Sequence, residues 1–157
     1  MPWLSIVIFL PLVGIPVLLL WRGMTDAQAR WLTLAVMVAD FVVALGALEA
    51  FDPGRSGYQL VEQVDWVPSV GLSYLVGVDG FSIWLVVLTA FMSPVALVAT
   101  WEIRHRVRLF MALSLVLETV VLGSFCALDL LVFFAFFEAL LVPMMRNIGI
   151  RPPSKNR

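Results

Sequence analysis

Residues 109–148, LFMALSLVLETVVLGSFCALDLLVFFAFFEALLVPMMRNI, decide the fold of this chain. Only Glu118, Asp129, Glu138 and Arg146 are charged in this stretch. It divides into two apolar runs, 109–127 and 129–148, and each meets the roughly 17–25 residues that a bilayer crossing takes. The turn near Leu128 leaves no room for a soluble connection, so the two runs predict a tight transmembrane hairpin. Glu118 stands ten residues before Leu128 and Glu138 ten after it. At about 1.5 Å per residue, both carboxyl groups fall roughly 15 Å below the membrane surface, near the bilayer centre.

Three earlier stretches have the same character: 3–21, 31–51 and 80–101. Across all 157 residues, 62% are hydrophobic and 13% charged, and the mean hydropathy is +1.01. Soluble domains carry about 25% charged residues, so lipid must be the solvent for most of this surface. The expectation is an all-α membrane protein of about five transmembrane helices. It forms one unit over 1–148, with a polar cytoplasmic tail at 149–157. The first span has no basic leader and no small-x-small cleavage site, so it reads as a span and not as a signal peptide.

The basic residues give the orientation. If the five spans alternate, Arg22, Arg30, Arg104, Arg106, Arg108, Arg146, Arg151, Lys155 and Arg157 share one side. Arg55 stands alone on the other, with Asp52, Glu62, Asp65 and Asp79. The positive-inside rule then places the N-terminus outside and the C-terminus in the cytoplasm. The longest connection, 52–79, is external. Tyr58 to Trp66 partly alternates β-branched or aromatic residues with polar ones, Pro68 and Gly71 follow, and Leu72 to Val76 resumes the apolar character. A short β-hairpin is expected, with an amphipathic interfacial segment as the alternative.

Asp40, Glu118 and Glu138 lie well inside spans. A charge at mid-bilayer costs at least a few kcal/mol, so such acids are candidates for function by default. Each also has a structural reading. Asp40 could hydrogen-bond a neighbouring helix, and Glu118 could be a neutral structural acid. Glu138, between Phe133-Phe134-Ala135-Phe136-Phe137 and Ala139-Leu140-Leu141-Val142, is the hardest to explain that way. No Lys or Arg lies in the interior of any span. A counter-charge for Glu138 must therefore come from another chain or from protein outside this sequence.

Other signals exclude more than they suggest. The net charge of −1, without runs of one sign, argues against nucleic acid or an acidic substrate. A single cysteine, Cys126, excludes an internal disulfide and a cysteine-built cluster. His105 reads as a polar loop residue in a basic turn, not a metal ligand. No haem, flavin, nucleotide or quinone fingerprint is present, so no catalytic, metal or cofactor-binding residue is assigned. Pro94 and Pro143 are expected to kink the third and fifth spans, and Gly123-Ser124 permits close helix approach.

Several segments together resemble a known family. Gly77-Val78-Asp79-Gly80-Phe81-Ser82 is similar to the G-[VI]-D-G-[LIF]-S motif of antiporter-like subunits, shared by complex I pumping subunits and Mrp-type antiporters. Ala127 to Phe134, followed by Phe137-Glu138-Ala139-Leu140-Leu141-Val142-Pro143-Met144, resembles the narrower E-x-x-L-[IV]-P-M pattern of the NADH-quinone oxidoreductase (complex I) subunit M family. Trp101-Glu102-Ile103 is similar to that family as well. The resemblance runs from residue 1 to about 145. It implies that Glu138 is the fifth-helix glutamate of a proton channel and that Glu102 is an acid at the cytoplasmic end of the third span. Glu118 has counterparts in many family members but not all.

Family members have about fourteen helices, and after Met144 this sequence departs with Met145-Arg146-Asn147 and a polar tail. It looks like a truncated or split subunit M, or a degenerate paralogue. The resemblance implies a multi-pass protein of the bacterial inner membrane whose partners are other membrane-arm subunits and lipid. NADH, FMN, iron–sulfur clusters and quinone would reside on those partners, making this chain an enzyme only as a subunit of the translocase. An Mrp-type cation/proton antiporter, a membrane-bound hydrogenase and a non-catalytic structural subunit are the competing readings; Pro143-Met144 argues against the antiporter.

Overall fold

A computed structural model describes residues 2–150, with side chains to Arg146. Within them are helices α1 (Trp3–Leu20), α2 (Asp26–Ala50), α3 (Ser82–Ala99), α4 (Val107–Cys126) and α5 (Leu130–Ile150). Strands β1 (Gln59–Val67) and β2 (Leu72–Val78) stand between α2 and α3. The first four helices are each long and apolar enough to cross a membrane. The helices coincide with the five expected spans, apart from boundary shifts. The largest is at α2, which begins at Asp26 and not near 31, because Thr25-Asp26-Ala27-Gln28 closes a capping box. The Thr25 hydroxyl accepts from Gln28 N at 3.3 Å, and the Gln28 side chain accepts from Thr25 N at 3.0 Å. Residues 151–157, most of the expected tail, lie outside the described residues.

α4 is the central helix and packs against all four others. Its buried positions include Met111, Leu115, Glu118, Leu122 and Cys126, a run of three- and four-residue steps that makes one inward stripe. The buried stripe of α2 is Ala29, Thr33, Met37, Asp40, Ala44 and Ala47, mostly small side chains that let helices approach closely. α4 and α5 approach closely at Gly123, where a methyl group would lie 2.5 Å from the Phe136 ring. The expected role of Gly123 is therefore met. α3 remains helical through Pro94.

The expected hairpin is present and antiparallel, with Glu62 opposite Val76 and Asp65 opposite Ser73. A 3-10 turn at Pro68–Val70 reverses the chain, and Gly71 follows in the left-handed region (φ 71°), which glycine adopts without strain. The hairpin ties down one end of the bundle. Glu62 accepts hydrogen bonds from Leu4 N (2.8 Å), Ser5 N (3.2 Å) and the Ser5 hydroxyl, occupying donors that open α1. Leu128 N, in the α4–α5 turn, donates to the Leu75 carbonyl at 3.0 Å. Burial pushes the Tyr74 hydroxyl above its usual range, while its hydrogen bond with Ser5 partly offsets this.

The opposite end is held by arginines. Arg108 donates to the carbonyls of Trp21 (3.2 Å) and Arg22 (3.4 Å), and Arg30 to that of Ile103 (2.7 Å). These bonds join the α1–α2 turn to the α3–α4 turn. One face thus carries the hairpin and the acids Glu62 and Asp79; the other carries Arg22, Arg30, Arg104, Arg106 and Arg108.

Candidate functional site

The four acids singled out by sequence separate into three environments. Asp40 is fully buried and Glu118 is 3% exposed, each in the middle of its inward stripe. Glu138 is exposed on α5. Glu102 is exposed in the arginine-rich turn after α3, remote in sequence and depth from the buried pair. Similar depth, read from the sequence, brings only Asp40 and Glu118 together.

Helix geometry explains why Glu138 is apart. Val132, Phe136, Leu140 and Pro143 are the less exposed positions of α5 and form its packing stripe, with Phe136 on Gly123. Glu138 is two residues from Phe136, about 200° around the helix axis. It shares the outer face with Phe133, Phe134, Phe137 and Leu141, all of them exposed.

The buried pair makes no well-formed protein hydrogen bond; the Ser93 hydroxyl of α3 lies beside Glu118 but donates to the Thr89 carbonyl. Both carboxyl oxygens of Asp40, both of Glu118 and the Thr119 hydroxyl are buried without a partner. No hydrogen bond from either acid joins one helix to another, so these acids do not hold the bundle together. The hydrogen bond to a neighbouring helix that the structural reading gave Asp40 is not formed. Asp40 and Glu118 are close enough for their charges to repel each other.

Glu118 lines a cavity of about 350 Å³ between α2, α3 and α4, with Met144 of α5 also contributing to its wall. Thr89, Ser93 and Thr100 face it from α3 and its C-terminal turn, and Ser114 from α4. The cavity thus extends from mid-bundle towards the arginine-rich end. Sequence reasoning missed these hydroxyls. Their signal was the four-residue steps Thr89–Ser93 and Ser114–Glu118 within otherwise apolar runs.

The Gly77–Ser82 motif has a structural explanation at the start of α3. Asp79 accepts from Ser82 N (2.7 Å) and Phe81 N (3.0 Å), and the Ser82 hydroxyl accepts from Asp79 N (2.9 Å). The bonds from Ser82, and then Phe81, hold the Asp79 carboxyl below its ordinary range. Gly77 is small because a methyl group there would lie 2.7 Å from Leu128. The motif therefore fastens a strand, a helix start and the α4–α5 turn.

No family model matches the chain. NADH-quinone oxidoreductase subunit M of Rhodobacter capsulatus is 44% identical over 151 residues, which take in 94% of this chain and 29% of that protein. An NAD(P)H-quinone oxidoreductase chain 4 protein of Nostoc is 41% identical over 160 residues, covering 99% of this chain and 29% of that one. Among solved structures, a chain of respiratory complex I from Thermus thermophilus with bound NADH superposes with a TM-score of 0.72 at 30% identity. The match covers 91% of this chain and 28% of that chain. The chain thus spans less than a third of the length of these relatives, and along nearly all of its own length it is homologous to the N-terminal part of NADH-quinone oxidoreductase subunit M.

Proposed function

We propose that this chain contributes part of a proton path in the membrane arm of a proton-translocating NADH-quinone oxidoreductase. The observation that carries this reading is the position of Glu138. It lies mid-span on the face of α5 that, among the described residues, no other helix covers. An acid facing acyl chains at mid-bilayer costs several kcal/mol. Against a protein surface that offers a cation or water, the same position lets a carboxyl take up and release a proton. The similarity to subunit M supplies the context, in which neighbouring membrane-arm subunits pack against this chain. NADH oxidation, FMN, iron–sulfur clusters and quinone reduction belong to those partners. The arginine-rich face is cytoplasmic and the hairpin face external, in a bacterial inner membrane. Glu102 would then stand at the cytoplasmic entrance.

Glu138→Gln tests the assignment, because glutamine keeps the shape and hydrogen bonding but cannot ionise. In the assembled complex, NADH-driven proton translocation should fall about tenfold or more, with subunit composition unchanged. Undiminished translocation by a mutant complex of normal composition refutes the role of Glu138.

A further inference from the structure

We infer that Glu118 is a second proton-exchange site, loaded by water through the hydroxyl-lined cavity from the arginine-rich side, with Asp40 as the next proton acceptor behind it. The inference rests on the proton-path reading of the chain and deepens it. Glu118 is almost wholly buried, both its carboxyl oxygens lack a protein partner, and it forms part of the cavity wall. The space of about 350 Å³ is partly open and otherwise apolar-walled, so water is held where Glu118 and the four hydroxyls supply polar partners.

The cavity's hydroxyls are committed as donors. Thr89 donates to the Leu85 carbonyl (2.8 Å), Ser93 to Thr89 (3.0 Å), Ser114 to Phe110 (2.8 Å) and Thr100 to Ala96 (3.1 Å). Their remaining lone pairs can only accept. A row of acceptors ending at a carboxyl group suits water and its excess proton, and gives an anion nothing to bind.

Asp40 is not part of the cavity wall and is fully buried. Its protons must arrive through a neighbour, and Glu118 is the carboxyl that the packing of α2 on α4 sets opposite it, each acid in the middle of its helix's inward stripe. Of the other titratable groups on the elements packed around the pair, only the buried Cys126 thiol also stands close enough to feel Asp40, and a thiol is a far weaker acid than a carboxyl. α1 and α3 contain no titratable side chain, and Arg108 and Cys126 lie near the two ends of α4. On α2, Asp26, Arg30 and Glu49 lie near its ends; on α5, Glu138 and Arg146 are exposed. In the transfer, Glu118 carboxylate takes a proton from a hydrated proton in the cavity, leaving water. It then passes that proton to an ionised Asp40 and is itself left as the carboxylate.

Infrared hydrogen–deuterium exchange on the full chain in lipid bilayers tests this without turnover. A protonated-carboxyl C=O band that disappears in Glu118→Gln should shift on transfer to D2O before the band that disappears in Asp40→Asn. Exchange at Asp40 should slow by an order of magnitude in Glu118→Gln. Ser93→Leu, which fills the cavity, should slow exchange at Glu118 by a similar factor, whereas Ser93→Ala should not. The inference is overturned if Glu118 exchanges no faster than Asp40, or if it is indifferent to Ser93→Leu. A Glu118 band that responds to Na⁺ at constant pH also overturns it, assigning the cavity to a metal cation. Failure here with loss of pumping in Glu138→Gln leaves the proposed function standing; retained pumping removes that reading separately.

Discussion

At the hairpin end of the molecule, carboxylates are held by backbone amides; halfway through the membrane, the buried carboxylates accept from none. Glu62 takes the amides of Leu4 and Ser5, Asp79 those of Phe81 and Ser82, and Asp129 that of Leu131 at 2.8 Å. Asp40 and Glu118 take none. The same functional group therefore has opposite thermodynamic meaning in the two regions. At the surface it satisfies helix-end donors that would otherwise need water. In the interior it is a cost that packing must offset, which is the usual mark of a group retained for chemistry.

The most direct effect on stability that this contrast predicts is a gain. Glu118→Met replaces a buried carboxyl that no backbone amide holds with an apolar side chain of the same length, and should stabilise the chain by about 1 kcal/mol, because cavity water only partly offsets the desolvation of the carboxyl. Thermal unfolding of the detergent-solubilised chain, followed by circular dichroism, reads this as a raised midpoint. A lowered midpoint would show that the Glu118 carboxyl contributes to the fold after all. Glu138→Met, on the outer face of α5, should leave the midpoint of the isolated chain nearly unchanged.

Glu62→Ala should move stability the other way, by about 1–2 kcal/mol. It strips the α1 start of its acceptor and removes the Glu62–Ser5 bonds that tie β1 to the bundle. Faster proteolysis within 59–78 should accompany the loss. An unchanged cleavage rate would mean that the Leu75–Leu128 and Ser5–Tyr74 bonds suffice to secure the hairpin.

Span positions were legible in the sequence because the bilayer imposes a length, and the arginines ordered the ends of the helices. Burial was not legible. In a soluble helix the exposed face is polar and declares itself. Here Phe133, Phe134 and Phe137 on the outer face of α5 are as apolar as Leu115 and Leu122 in the core. Depth could be counted along each helix, so three acids fell at one level, but the rotation of each helix was not available from apolarity. The usable cue was residue size. The small positions Ala29, Thr33, Ala44 and Ala47 point Asp40 inward, and Gly123 receives Phe136, which turns Glu138 outward.

The smallest predicted effect isolates one surface cap and carries a pH signature. Asp79→Ala removes the acceptor for Phe81 N and Ser82 N, an N-cap loss of about 1 kcal/mol. In the wild type, these bonds hold the folded carboxyl below its ordinary value of 3.8. The sign follows from linkage: the unfolded chain binds the proton more readily, so the charge-dependent stabilisation is complete above that value. It is lost as pH falls through the lower folded value. Asp79→Asn keeps a side-chain oxygen able to cap but cannot ionise. Its unfolding midpoint should therefore match the wild type more closely in acid than at neutral pH. A gap between wild type and Asp79→Asn that stays constant on acidification would show that Asp79 caps α3 without drawing on its charge.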